Sequence, residues 1–111
     1  MTGTTRLTPQ ALEQRLADGG RPLLVTFVKP DCPWCERQLP QLEELATQWA
    51  DRVDLVLVDL ADDPSLVQTH ELRGAPTLML FQGGQRVGVK NGFQRRQQLD
   101  AFLQHHMGDT A

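Results

Sequence analysis

Two kinds of apolar pattern alternate along the chain: short continuous runs, and residues spaced by three or four. Leu23 to Val28 is nearly uninterrupted, as in a strand covered on both faces, and Lys29-Pro30-Asp31 ends it. Val53 to Val58 and Thr77 to Phe81 repeat that pattern. Leu39, Leu42, Leu45, Ala46 and Trp49 instead recur at helical spacing, which predicts an amphipathic helix reaching about Ala50, with Cys35 and Leu39 opening its inward stripe. Thr8-Pro9 caps and opens an earlier helix through Leu12 and Leu16 that Gly19-Gly20 stops. Asp63-Pro64 reads as the start of a short helix around Ser65 to Glu71. Past Thr77 to Phe81, a Gln82-Gly83-Gly84-Gln85 turn leads into the alternating Arg86 to Lys90, which makes a hairpin. Leu99, Phe102, Leu103 and His106 form the inward stripe of a terminal helix whose start, at Gln94 or Arg95, lacks a good cap. Parallel strands joined by helices and followed by an antiparallel hairpin give an α/β sandwich.

At 111 residues and 40% hydrophobic, the chain is sized for a single domain spanning 1–111, with an ordered core from about 6 to 107. A net charge of −3 without long charge runs gives no footprint for nucleic acid, and no apolar stretch is long enough to cross a membrane. The expected partner is another protein. The stretch Met1-Thr-Gly-Thr-Thr-Arg-Leu has neither the apolar core nor the cleavage pattern of a secretory signal, so a cytoplasmic location follows by default.

The candidate chemistry is Cys32-Pro33-Trp34-Cys35, two thiols three residues apart where a strand gives way to a helix. Cys32 falls at the helix N-cap and Pro33 in the first turn, where a missing N–H is tolerated. Backbone N–H groups and the helix dipole favour the Cys32 thiolate; such positions lower a cysteine pKa from about 8.5 to ~3.5–7.5. Cys32 therefore reads as the attacking thiol and Cys35, one turn inside and more buried, as the resolving one. Half of a zinc site is a competing reading, but the other ligands are missing. His70, His105 and His106 lack the H-x3-5-H spacing, and there is no second cysteine pair, so no metal is expected. An inert pair of core cysteines is the other alternative.

With Gly74-Ala75-Pro76-Thr77 in addition to the cysteines, the chain resembles the thioredoxin family over nearly its whole length. Pro40 inside the second helix, the Asp63-Pro64 turn, Gly83-Gly84 and Gly92 fall where that family places them. The resemblance implies a thioredoxin fold, with a central mixed sheet of four to five strands flanked by about four helices. It further implies a cis bond before Pro76, which would lie against Cys32 while the Ala75 backbone meets an extended substrate segment. The stripe that begins at Cys35 and Leu39 leaves Trp34 at the rim as an exposed contact rather than a core anchor. There, with Ala75, Gly92 and Phe93, it makes a small apolar platform that, together with Pro76, suits a partner's peptide; Phe93 fits the core and the platform equally. The implied activity is reduction or exchange of protein disulfides by a monomer with no bound cofactor, supplied with electrons by a flavoenzyme of the thioredoxin-reductase type.

Departures from the family pattern affect the same site. Pro33-Trp34 stands where typical members carry Gly-Pro, and it sets an expected potential of about −200 to −250 mV, less reducing than the roughly −270 mV of thioredoxin. Thr26 replaces a buried aspartate that helps deprotonate the resolving thiol, so Cys35 is expected to act more slowly. Leu57 replaces a lysine often paired with that acid. Asp31 replaces a tryptophan and would oppose the Cys32 thiolate, with Lys29 as an offset. Pro40 is expected only to kink its helix. Two further readings remain open: glutathione-linked chemistry like that of glutaredoxins, which carry Pro-Tyr between their cysteines, and a binding or chaperone module with little redox turnover.

Overall fold

The structure is a computed structural model and describes residues 4–108; the ends of the expected domain, 1–3 and 109–111, and the first residues of the N-terminal reading lie outside them. Five strands form one sheet in the order β1 (Thr4–Arg6), β3 (Asp54–Asp59), β2 (Leu23–Val28), β4 (Thr77–Gln82), β5 (Gln85–Asn91). β1, β3 and β2 run parallel, and β4 and β5 are antiparallel to their neighbours. Four α-helices join them: α1 (Pro9–Asp18), α2 (Pro33–Trp49), α3 (Leu66–Thr69) and α4 (Arg96–Met107). This is the α/β architecture of a thioredoxin fold.

The continuous apolar runs form strands because both faces of the sheet are covered. Side chains alternate across a strand, so Leu24, Leu55, Leu78 and Leu80 meet Leu42, Leu45, Ala46 and Trp49 of α2 and Leu99, Phe102 and Leu103 of α4. On the other face Leu23, Val25, Phe27, Val56, Val58, Met79 and Phe81 meet Leu12 of α1 and Leu66 and Leu72 around α3. Burying side chains of this size contributes roughly 1.5–3 kcal/mol each, which accounts for the two-sided core. An indole hydrogen bond adds to the α2–α4 packing, Trp49 Nε1 donating to Asp100 Oδ1 at 2.8 Å.

Local chemistry sets the ends of α1. Thr8 Oγ1 accepts from Ala11 N–H at 3.1 Å, and Gly19, at φ 72°, caps the C-terminus. Elsewhere the structure corrects the reading in detail. The third strand starts at Asp54, with Val53 buried just ahead of it. The segment after Asp63-Pro64 is a single turn, because Asp63 Oδ1 accepts from both Ser65 N–H and Ser65 Oγ and uses Ser65 for a local turn. The missing α4 cap is supplied from inside the helix, where Gln98 Oε1 accepts from Arg95 N–H at 2.7 Å. His106 is half-buried and sets its ring against Phe102 at 4.9 Å. Leu39 does not face the core. It is exposed, and the inward stripe of α2 runs Cys35, Gln38, Leu42, Leu45, Ala46 and Trp49.

Candidate active site

The turn after β2 delivers Cys32 to the start of α2. Asp31, exposed and at φ 54°, takes a left-handed conformation that aspartate tolerates, and reverses the chain after Pro30. Cys32 is then extended (φ −123°, ψ 97°) and serves as the N-cap, and Pro33 takes the first helical position with no N–H to satisfy. Cys35 N–H donates to Cys32 Sγ at 3.2 Å, and Glu36 N–H donates to the Cys32 carbonyl at 3.1 Å. The two cysteines are joined as a disulfide, their Cα atoms 5.2 Å apart. Their burial is nearly equal, 6% and 4% exposed, so the expected contrast between an accessible and a buried thiol is slight in this oxidised state.

Sheet register brings the second half of the site to the first. Antiparallel pairing of Phe27 with Thr77 sets the residues before β4 beside those after β2, and Ala75-Pro76 is a cis bond, as the resemblance implies. The Ala75 carbonyl oxygen lies 3.7 Å from Cys32 Sγ. Thr77 Oγ1 donates to the Gly74 carbonyl at 2.6 Å and closes the turn ahead of the proline. Pairing of Thr77 with Asn91 brings Gly92 opposite Pro76, and Gly92 N–H donates to the Pro76 carbonyl at 2.8 Å. Trp34, 53% exposed, and half-buried Phe93 face each other at 5.4 Å. Trp34, Ala75, Pro76, Gly92 and Phe93 together line an open groove of about 420 Å³.

Thr26 is buried in the middle of β2, and its hydroxyl has no hydrogen-bond partner among the described residues. Leu57 lies beside it on β3 and packs onto the core face shared with α2 and α4. No cluster of three or more metal-ligating side chains occurs among the described residues.

Three features escaped the sequence reading. The Arg37 guanidinium lies over the Trp34 ring at 4.5 Å, an i, i+3 contact that helical spacing could have flagged. A second recess of about 220 Å³ reaches the other side of Ala75, lined by Leu60, Val67, Leu72, Gly74, Lys29 and Arg73. The third is Gln38, wholly buried beneath the loop that carries Phe93. A polar side chain at an apolar-stripe position was its only signal.

This arrangement can exchange a disulfide reversibly: one sulfur at a helix N-terminus, a second one turn along, and a backbone carbonyl and apolar groove beside them. Comparison with known proteins agrees. The family model for thioredoxin matches residues 3–105. Thioredoxin 1 of Nostoc sp. is 30% identical over 107 residues, covering 96% of this chain and all of the relative. Thioredoxin 1 of Synechococcus elongatus is 32% identical with the same coverage, and the thioredoxin of Alicyclobacillus acidocaldarius is 34% identical over 90% of this chain and 94% of its own. The chain belongs to the thioredoxin family and is a thiol-disulfide oxidoreductase, a protein-disulfide reductase whose substrates carry disulfides.

Proposed function

We propose that Cys32 is the attacking thiol and Cys35 the resolving thiol, and that the disulfide they reduce lies in an extended segment of another protein. The observation that supports this most is the position of Cys32 Sγ, between the Cys35 N–H and the Ala75 carbonyl at the edge of the groove. In the dithiol form the helix N-terminus favours the Cys32 thiolate. That thiolate attacks one sulfur of the substrate, forming a mixed disulfide and releasing the first substrate thiolate. Cys35, deprotonated in turn, attacks Cys32 Sγ and expels the second. Two electrons have then passed to the substrate, its two thiolates take up two protons, and the enzyme is left with the Cys32–Cys35 disulfide.

The Ala75 backbone aligns the substrate segment, and Trp34, Pro76, Gly92 and Phe93 take its apolar side chains. Pro33, Asp31 and Thr26 adjust the reactivity of the two sulfurs from the helix start, the preceding turn and the buried strand. On the far side of Ala75, Lys29 and Arg73 have no carboxylate partner among the described residues and leave positive charge for the substrate. A flavoenzyme reductase of the thioredoxin-reductase type returns the disulfide to the dithiol. The enzyme works as a monomeric single domain in the cytoplasm, without a bound cofactor; none of its described helices is long and apolar enough to cross a membrane.

Trapping tests the assignment. Cys35→Ser should accumulate a mixed disulfide between Cys32 and a protein substrate, whereas Cys32→Ser should accumulate none and lose all turnover. Equal trapping by both variants would reverse or remove the assigned roles.

A further inference from the structure

Among the described residues three polar side chains are buried, Thr26, Gln38 and Thr77, and Gln38 is the one with no exposure at all. Both ends of its amide are used by the main chain of a single residue. Gln38 Nε2 donates to the Gln94 carbonyl at 2.8 Å, and Gln38 Oε1 accepts from Gln94 N–H at 2.8 Å. One turn further along α2, Gln41 Oε1 accepts from Arg96 N–H at 2.6 Å. These bonds hold the linker 92–95 between β5 and α4, in which Gln94 makes no backbone–backbone hydrogen bond among the described residues.

The held segment is the wall of the groove. Its upstream end is fixed where Gly92 N–H meets the Pro76 carbonyl, its downstream end where Gln94 meets Gln38, and Phe93 lies between the two anchors, facing Trp34. Gln38 in turn stands one helical turn beyond Cys35. From this geometry we infer that Gln38 is a positioning residue, which fixes the Gly92-Phe93 wall relative to Trp34 and Ala75-Pro76 and thereby sets the width of the groove that receives the substrate peptide. Holding α2 against α4 does not require it, because apolar packing and the Trp49–Asp100 bond already join those helices. Its two bonds land on the linker instead. An apolar side chain of the same size would fill the space but leave the Gln94 N–H and carbonyl unpaired, and the linker would move to find other partners.

The inference rests on the reading of the groove as the substrate site, so the test separates the two. Gln38→Met and Phe93→Ala are compared with the parent enzyme on insulin disulfides and on glutathione disulfide, with the redox potential measured alongside. For Gln38→Met the expected result is a KM for insulin raised by about fivefold or more, with kcat within about twofold, and an unchanged potential and rate with glutathione disulfide. An unchanged KM while Phe93→Ala raises it overturns the role of Gln38 and leaves the groove reading intact; an unchanged KM in both overturns the groove reading and the inference with it. Equal losses on the large and the small disulfide also overturn it, because the effect would then lie at the sulfurs. A measurement on the parent enzyme does not depend on how a variant folds: the Gln94 N–H should exchange with solvent as slowly as core amides, and exchange at the rate of an open loop would sink the clamp.

Discussion

A buried hydroxyl stands in the interior of this enzyme where the family resemblance places an aspartate. Thr26 lies in the central strand between Leu57 and Leu78, with no hydrogen-bond partner for its oxygen among the described residues. Threonine cannot serve as a base at neutral pH, so in the proposed mechanism nothing at this position takes the proton that Cys35 would lose before attacking Cys32. Thr26→Asp should therefore speed resolution of a preformed mixed disulfide by about tenfold or more, at a cost in stability from desolvating the new carboxylate. Stopped-flow release of the substrate thiol measures this, and an unchanged rate would end the account of Thr26. Single residues were legible where their chemistry is local. Cys32 as N-cap and the Thr8 cap each follow from a few adjacent side chains. Gln38 was not legible, because positions 38 and 39 both fit the helical period from Cys35 and hydropathy favoured Leu39. The partner that buries Gln38 lies 56 residues away.

Elements meet one another at a few close contacts, and two of these give measurable predictions. The β4–β5 turn rests on the C-terminal end of α1. Gly84 is at φ +83°, and a Cβ there would run into the Leu16 carbonyl oxygen, a backbone atom with little room to move. Gly84→Ala should cost about 2 kcal/mol or more in urea denaturation through strain and collision together. A cost within the ±0.5 kcal/mol or so of ordinary surface changes would show that the junction adapts. His70, immediately after α3, sets its ring against Phe27 at 5.1 Å and Phe81 at 6.5 Å. Burial pushes its pKa below the ordinary 6.5, nearby Arg86 lowers it further, and Glu13 opposes both. Below 6.5 the unfolded chain thus binds more protons at this position than the folded one, so the His70 contribution is lost as pH falls through that window and regained as pH rises. His70→Gln should flatten the rise in unfolding free energy between about pH 5 and 7. An unchanged slope would show that His70 titrates alike in both states. The order of strands and helices was legible because each buried run is short and each turn carries its own Gly, Pro or Asp. Helix ends were less so: the single turn after Asp63-Pro64 and the Gln98 cap of α4 depend on side-chain competition for backbone N–H groups that periodicity does not report.

For the molecule as a whole, the central quantity is the free energy by which the fold favours dithiol over disulfide. Cys32 caps a 17-residue helix and accepts the Cys35 N–H, so a thiolate there is stabilised by the helix terminus and by that amide. A stabilised thiolate lies on the reduced side of the couple and raises the potential. Equilibration with glutathione buffers should place it at about −200 to −250 mV, roughly 20–70 mV above thioredoxin's −270 mV, which corresponds to about 1–3 kcal/mol. A value of about −270 mV or lower would refute this and make the enzyme a general reductant despite Pro33-Trp34. A thermodynamic cycle supplies an independent check. Whatever separates the potential of the folded protein from that of the same cysteines in the denatured chain must equal the difference in unfolding free energy between the disulfide and dithiol forms, at about 1.4 kcal/mol per 30 mV. Denaturation of both forms under matched conditions gives that difference without a redox buffer. The two routes must agree whatever stabilises the dithiol, so a mismatch would show that one of the unfolding transitions is not two-state, and the glutathione equilibrium then decides between about −270 mV and the higher range.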